Sequence, residues 1–199
     1  MGLLLMSTPH SSLSPSEWVC RWTHLIADHR PGGPTALDLA CGHGRHTRWL
    51  VRQGCRVTAV DRDAAALDQL GDLTPSVDRV CADIENGPWP LEGRTFDAVV
   101  VTNYLWRPLW SRILDSLAQG GVLIYETFAE GHAHIGKPSR PDFLLNTGEL
   151  LARCQSLRII AFEDGFLSNP DRYTQRICAV LPTEQSPERP PRYALRRAG

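Results

Sequence analysis

The chain has 199 residues, 42% hydrophobic and 22% charged, with a formal net charge of −1. This is the length of one domain by the usual ~100–200 residues per domain, and the apolar share excludes a chain too polar to fold. The balance of 21 Lys+Arg against 22 Asp+Glu excludes a global field that would draw in nucleic acid or an anionic membrane. The first 13 residues read as a loose start. Ser14-Pro15-Ser16-Glu17 then predicts a helix opening, with Ser14 as cap, Pro15 at the first position and Glu17 at the third. Trp18, Val19, Trp22, Leu25 and Ile26 continue it at helical spacing to about His29, where Pro31-Gly32-Gly33-Pro34 breaks it.

An alternation follows. Strands are expected at 35–40, 56–60, 77–81, 96–101 and 122–127, and helices at 46–53, 64–70 and 109–118, the last ended by Gly120-Gly121. The runs at 96–101 and 122–127 are almost continuously apolar, as in strands buried on both faces. Strands alternating with helices predict parallel pairing and crossover helices, an α/β doubly wound sheet. Residues 128–146 then read as a long loop, and 147–153 as a short helix. Strands at 157–163 and 173–181 are separated by only nine residues, too few for a parallel crossover, so they are expected to pair antiparallel. Residues 182–199, rich in Pro and Arg, read as a flexible, solvated tail, leaving 1–181 as a single domain.

No apolar run reaches the ~18–20 residues of a membrane span. Residues 1–6 lack the basic leader of a secretory signal, and Met6 breaks the myristoylation pattern. Cys20, Cys41, Cys55, Cys81, Cys154 and Cys178 contain no C-x-x-C pair and mostly sit in apolar runs. Reduced, mostly buried thiols in a cytoplasmic protein are therefore expected, without a metal site.

Three strand ends carry chemistry. The first reads Leu37-Asp38-Leu39-Ala40-Cys41-Gly42-His43-Gly44-Arg45, a strand running through an acid into a glycine turn that opens a helix. In open α/β sheets ligands sit at such carboxyl ends, and glycine lets them approach the backbone. A dinucleotide fold needs a third glycine in G-x-G-x-x-G; here Thr47 stands there, which counts against a nicotinamide-dependent (NAD) oxidoreductase. The second strand ends in Asp61, where a carboxylate can accept both hydroxyls of an adenosine ribose. The third ends in Cys81-Ala82-Asp83-Ile84, an acid and an apolar residue suited to an adenine's amino group and ring face.

These residues resemble the class I S-adenosylmethionine-dependent methyltransferases, whose first motif, acid-x-Gly-x-Gly-x-Gly, is matched by Asp38-x-Ala40-x-Gly42-x-Gly44. The similarity covers about residues 34–127, and the final antiparallel pair matches the family's mostly parallel, seven-stranded Rossmann-like sheet. The resemblance implies S-adenosylmethionine as cofactor. Asp38, Ala40, Gly42 and Gly44 would lie at its methionine end, Asp61 on its ribose and Asp83 with Ile84 on its adenine, while Asn103 would line the methyl-transfer site. The stretch from Gly136 to Leu150 (Gly-x-Pro, Phe-Leu-Leu, Gly-Glu-Leu) is similar to the small-molecule branch that includes tellurite-resistance methyltransferases. The expected partner is thus a small-molecule acceptor.

Thr102-Asn103-Tyr104-Leu105 is not the Asn-Pro-Pro-Tyr of enzymes that methylate adenine or glutamine amides. Tyr104 and Trp106, with Trp110, are candidate walls of an acceptor pocket. Glu126 is expected at the site's rim, and His132 and His134 are candidates for a base or for a lid. Loops longer than ~12–15 residues are usually functional or disordered, so residues 128–146 are expected to close over the acceptor. A non-catalytic domain that binds the donor and serves a protein partner is the remaining alternative.

Overall fold

Residues 14–26, 31–183 and 191–195 are described in the computed structural model. Within them β1 (Thr35–Leu39), β2 (Arg56–Asp61), β3 (Val77–Cys81), β4 (Phe96–Thr102), β5 (Leu117–Phe128), β6 (Arg158–Leu167) and β7 (Arg172–Val180) form one sheet. The order is β3-β2-β1-β4-β5-β7-β6. The first five strands are parallel, and β7 runs antiparallel to both β5 and β6. This is the expected doubly wound, seven-stranded sheet. Strand order reverses between β1 and β4, which puts the ligand crevice at their carboxyl ends.

The two faces follow from the period of two in a strand. Leu37, Leu39, Val99, Val101, Leu123 and Tyr125 enter one buried cluster. Their neighbours Ala36, Ala98, Val100, Val122 and Ile124 enter the other, on the opposite face. Helices α2 (Arg45–Arg52) and α3 (Ala64–Asp68) follow β1 and β2, α4 (Trp110–Asp115) precedes β5, and α5 (Glu149–Arg153) precedes β6.

Helix α1 (Glu17–Trp22) has six residues, too few to stand alone in water. Burial of Trp18, Val19 and Trp22 against the second cluster holds it, with Trp18 Nε1 donating to the Ile177 carbonyl at 3.2 Å. An aromatic of this size buries ~150–250 Å², worth roughly 4–6 kcal/mol at ~25 cal/mol per Å² before ordering costs.

Several expected boundaries move. The cap of α1 is Ser16, whose hydroxyl accepts from Trp18 N at 3.1 Å, and not Ser14. The helix ends at Trp22 and gives way to one 3-10 turn, Thr23–Leu25; the expected stop at His29 lies outside the described residues. The helix expected over 109–118 ends at Asp115, because the Ser116 hydroxyl bonds back to the Arg112 carbonyl at 2.8 Å and Leu117 already pairs with Phe96 in the sheet. Gly120-Gly121 therefore lies inside β5. Strands β6 and β7 extend toward each other until only residues 168–171 join them. Part of the expected tail is also docked. Tyr193 packs on the second cluster with Arg158 over its ring at 5.6 Å, and the Ala194 carbonyl lies 2.9 Å from His24 Nε2. Cys81 is exposed and Cys20 half-buried, while the other four thiols are buried.

Candidate functional site

The turn after β1 is built from backbone that side chains rarely adopt. Ala40, Gly42 and Gly44 have φ of 53°, 53° and 72°. At Gly44 a Cβ would fall 2.4 Å from Leu70 Cδ2, so glycine is required there to let α2 pack on the chain after α3. At Gly42 a Cβ would meet nothing within 4 Å, leaving the backbone open to a ligand. Two carboxylates brace the turn from different sides. Asp61 Oδ2 accepts from Gly42 N at 2.7 Å while Oδ1 accepts from Asp63 N at 3.0 Å.

Asp38, expected at the donor's methionine end, is instead buried beneath the turn. Its Oδ2 accepts from the Thr47 hydroxyl at 2.6 Å. Burial pushes its carboxyl up to about 6, more than the Thr47 bonds pull it down. The residue that replaces the third glycine thus ties the start of α2 to the end of β1.

Beside the turn lies a cavity of about 200 Å³ lined by Ala40, Asp61, Ala82, Asp83, Ile84 and Tyr104, with Arg62 and Glu85. Here Asp83 accepts from Asn86 Nδ2 at 3.0 Å, Asn86 N at 3.1 Å and Glu85 N at 3.0 Å, bonds that hold its carboxyl below the usual range. The Tyr104 hydroxyl is buried without a hydrogen-bond partner among the described residues. Its burial, with the charge of nearby Glu85, pushes the phenol above its ordinary range.

Tyr104 and Glu85 also line a second cavity of about 190 Å³, together with Asn103, Phe128, Pro138 and Phe143. Asn103 and Phe128 in turn line a third, of about 860 Å³, with Ser16, Arg45, His132 and Arg172. Three cavities therefore run in series along the carboxyl edge, each sharing two residues with the next. The Asn103 amide, held at φ 53°, bonds to the Glu126 carbonyl at 2.9 Å, which fixes it at the junction.

Four expected residues are placed differently. Glu126 is not on the rim; it is fully buried, accepting from the Ser16 hydroxyl at 2.9 Å and from Arg172 Nη2 at 3.4 Å. Trp110 is core, stacked on Tyr125 with ring centroids 5.0 Å apart, and Trp106 packs against the same cluster without lining the three cavities. His132 does face the large cavity but is itself buried, its ring tilted against Phe128 with centroids 4.4 Å apart, and its Nε2 3.2 Å from the Lys137 carbonyl.

Residues of 128–146 line the second and third cavities, and the base of the segment is pinned. Ala129 bridges Leu145, and the Arg107 guanidinium reaches the Asp142 and Leu144 carbonyls at 2.8 Å each. Three site residues had no signal in the sequence reading: Ser16, Arg45 and Arg172. His46 joins them as a brace behind the wall. Its Nε2 accepts from Ser16 N at 3.1 Å and its Nδ1 lies 3.2 Å from the Thr102 hydroxyl.

Residues 36–121 match the family described as a methyltransferase domain. The chain is 36% identical over 89 residues to a cypemycin N-terminal methyltransferase of Streptomyces sp, a match covering 44% of this chain and only 33% of that relative. Among solved structures it resembles an S-adenosylmethionine-dependent methyltransferase of Methanosarcina mazei, with 16% identity, TM-score 0.61, and 80% of this chain and 98% of that one covered. TehB of Haemophilus influenzae aligns with 18% identity, TM-score 0.59, and 74% and 57% coverage. The glycine turn, the acid-bearing strand ends and the sheet order of that fold are all present, and residues 36–121 match the methyltransferase-domain family, so the chain is similar to the class I S-adenosylmethionine-dependent methyltransferases.

Proposed function

We propose that this protein transfers a methyl group from S-adenosylmethionine to a small-molecule acceptor in the cytoplasm. One observation carries the reading: a cavity bearing ribose- and adenine-type partners communicates, through a junction at Asn103 and Tyr104, with a larger cavity on the same edge. The residues present fit the donor. Each carboxylate oxygen has two acceptor sites, so Asp61 keeps capacity for ribose hydroxyls beyond its bonds to Gly42 and Asp63. Open space at Gly42 admits the donor's amino-acid end, Ile84 offers an apolar face to a purine, and the orphaned Tyr104 hydroxyl awaits a partner. The nicotinamide alternative fits less well, because the Asp38–Thr47 bond occupies the place where a third glycine would allow close approach.

The bound donor supplies a methyl group on a cationic sulfur, whose charge disappears as the group leaves. The protein's part is orientation and dryness, and orientation alone can be worth ~7–11 kcal/mol. Asp61 and Asp83 would fix the nucleoside, while Asn103 holds the junction where the two reactants meet. Phe128, Pro138 and Phe143 line that junction with apolar surface, and residues 128–146 would act as the lid that excludes water from it. Asp38 is a positioning residue that fixes the turn through Thr47.

Label transfer tests the reading. Protein incubated with methyl-tritiated donor and a bacterial metabolite extract should move tritium into the small-molecule fraction. Labelling confined to protein or nucleic acid would refute the acceptor class, and no labelling of any fraction would speak for a donor-binding module.

A further inference from the structure

The wall of the large cavity carries an imbalance of charge. Arg45, the first residue of α2, and Arg172, the first of β7, both line it. Their common counter-charge is Glu126, which Arg172 Nη2 approaches at 3.4 Å and which attracts Arg45 from farther off. Glu126 also lies 3.7 Å from Arg176, though that residue has closer partners in Glu163, at 2.7 Å from its Nε, and Glu17, at 3.1 Å. Glu126 thus serves both guanidiniums, and buried Asp38 adds a more distant attraction on Arg45 alone. Arg45 has no ion pair among the described residues, only a 3.5 Å contact to the Ser14 carbonyl. Burial, and after it the charge of Arg172, lower its affinity for its own proton against the opposing pull of Glu126 and Asp38. The Arg172 Nε is buried without a hydrogen-bond partner among the described residues. Lys137 adds a further cation to the lining, and among the described residues Asp171 is the one lining carboxylate besides Glu17, which Arg176 engages.

Two guanidiniums side by side at a cavity repel each other unless an anion sits between them. Arginine's planar fork matches the two oxygens of a carboxylate or phosphate, and such charge-assisted pairs are roughly twice as strong as neutral hydrogen bonds. We infer that the methyl acceptor carries an oxyanion, a carboxylate or a phosphate, held between Arg45 and Arg172 at the mouth of the large cavity. This rests on the reading of that cavity as the acceptor site. Glu126 is then the buried post that keeps Arg172 in place, and Ser16, hydrogen-bonded to the same carboxylate at 2.9 Å, brings the start of α1 against the bound anion.

Calorimetry on the full chain tests this in two stages. S-adenosylhomocysteine is titrated first; absence of binding would overturn the donor reading by itself. The protein saturated with S-adenosylhomocysteine is then titrated with four probes of one shape: benzoate, phenyl phosphate, benzamide and benzylammonium. The oxyanion probes should bind at least tenfold more tightly than the other two, with affinity that falls as salt rises. Arg45→Gln, which breaks no ion pair, and Arg172→Gln should each weaken the oxyanions ten- to a hundredfold. Both variants should bind S-adenosylhomocysteine and 5′-methylthioadenosine as the parent does. Equal affinity for all four probes, or failure of both oxyanions to bind, overturns the inference while the donor reading stands. Weakened S-adenosylhomocysteine with unchanged 5′-methylthioadenosine also overturns it, since the arginines would then serve the donor's own carboxylate.

Discussion

His46 ties the amino-terminal segment to the sheet, and its protonation should release it. The ring is buried and its Nε2 accepts from Ser16 N at 3.1 Å, so Nε2 carries no proton in the folded state. Burial, with the charge of Arg45, lowers its pKa from 6.5 to about 3. Between those values the unfolded chain binds a proton that the folded chain does not, so stability present above pH 6.5 is lost as pH falls. Across the 1.5 units from 6.5 down to pH 5 the loss is about 2 kcal/mol, at ~1.36 kcal/mol per unit. Asp38 works in the opposite sense. Its folded pKa of about 6 lies above the ordinary 3.8, so the folded chain gains a proton first and is stabilised as pH falls through 6. By pH 5 that gain is about 1 kcal/mol, and in the parent chain the two effects largely cancel. His46→Gln removes one of them, since glutamine's carbonyl oxygen can still accept from Ser16 and its amide can donate to Thr102. Urea unfolding followed by the fluorescence of the six tryptophans should show this variant becoming about 1 kcal/mol more stable from pH 7 to pH 5. Asp38→Asn should lose about 2 kcal/mol over the same interval. If His46→Gln keeps the parent's pH dependence, the assignment of a neutral His46 bonded to Ser16 is wrong.

Other variants probe the turn and the cavities. Asp61→Asn should weaken S-adenosylhomocysteine roughly 10–100-fold by calorimetry, the value of charge-assisted hydrogen bonds of ~1.5–3 kcal/mol; Asp115→Asn, exposed at the other end of α4, should leave it unchanged. Gly44→Ala places a Cβ 2.4 Å from Leu70 at a φ of 72°, so thermal melting should show a loss of about 2–4 kcal/mol. Tyr104→Phe removes an unpartnered buried hydroxyl, so the ligand-free protein should keep its stability or gain up to ~1 kcal/mol, while S-adenosylhomocysteine binds about 3–10-fold more weakly. Replacing residues 132–138 by a Gly-Ser linker should spare donor binding and cut transfer to an identified acceptor at least tenfold.

What the sequence made legible was local. Asp61, Asp83 and Ile84 sit at strand ends, each next to the turn it serves, and they line one cavity as expected. Asp38, like Asp61, is an acid near the carboxyl end of a strand, and only packing distinguishes a carboxylate buried under Thr47 from one at a cavity wall. Glu126 was misread for a related reason. Its partners Ser16 and Arg172 are 110 and 46 residues away in the chain, and no spacing pattern announces such a contact. Arg45 and Arg172 carried no signal because a cationic residue at the start of a helix or strand is ordinarily a solvated one. The end of α4 was lost to glycine punctuation: Gly120-Gly121 reads as a helix stop, whereas Gly120, at φ 78°, belongs to a strand already paired with β4 from Leu117 onward.

We propose that Asp61, Asp83, Ile84 and the Gly42 turn together hold an adenosyl sulfonium donor. Titration of the folded protein with S-adenosylhomocysteine, repeated with NAD, measures it directly. The site described here predicts saturable one-to-one binding of S-adenosylhomocysteine that NAD neither reproduces nor displaces. Folded protein that takes up NAD in its place, or neither compound, would contradict it.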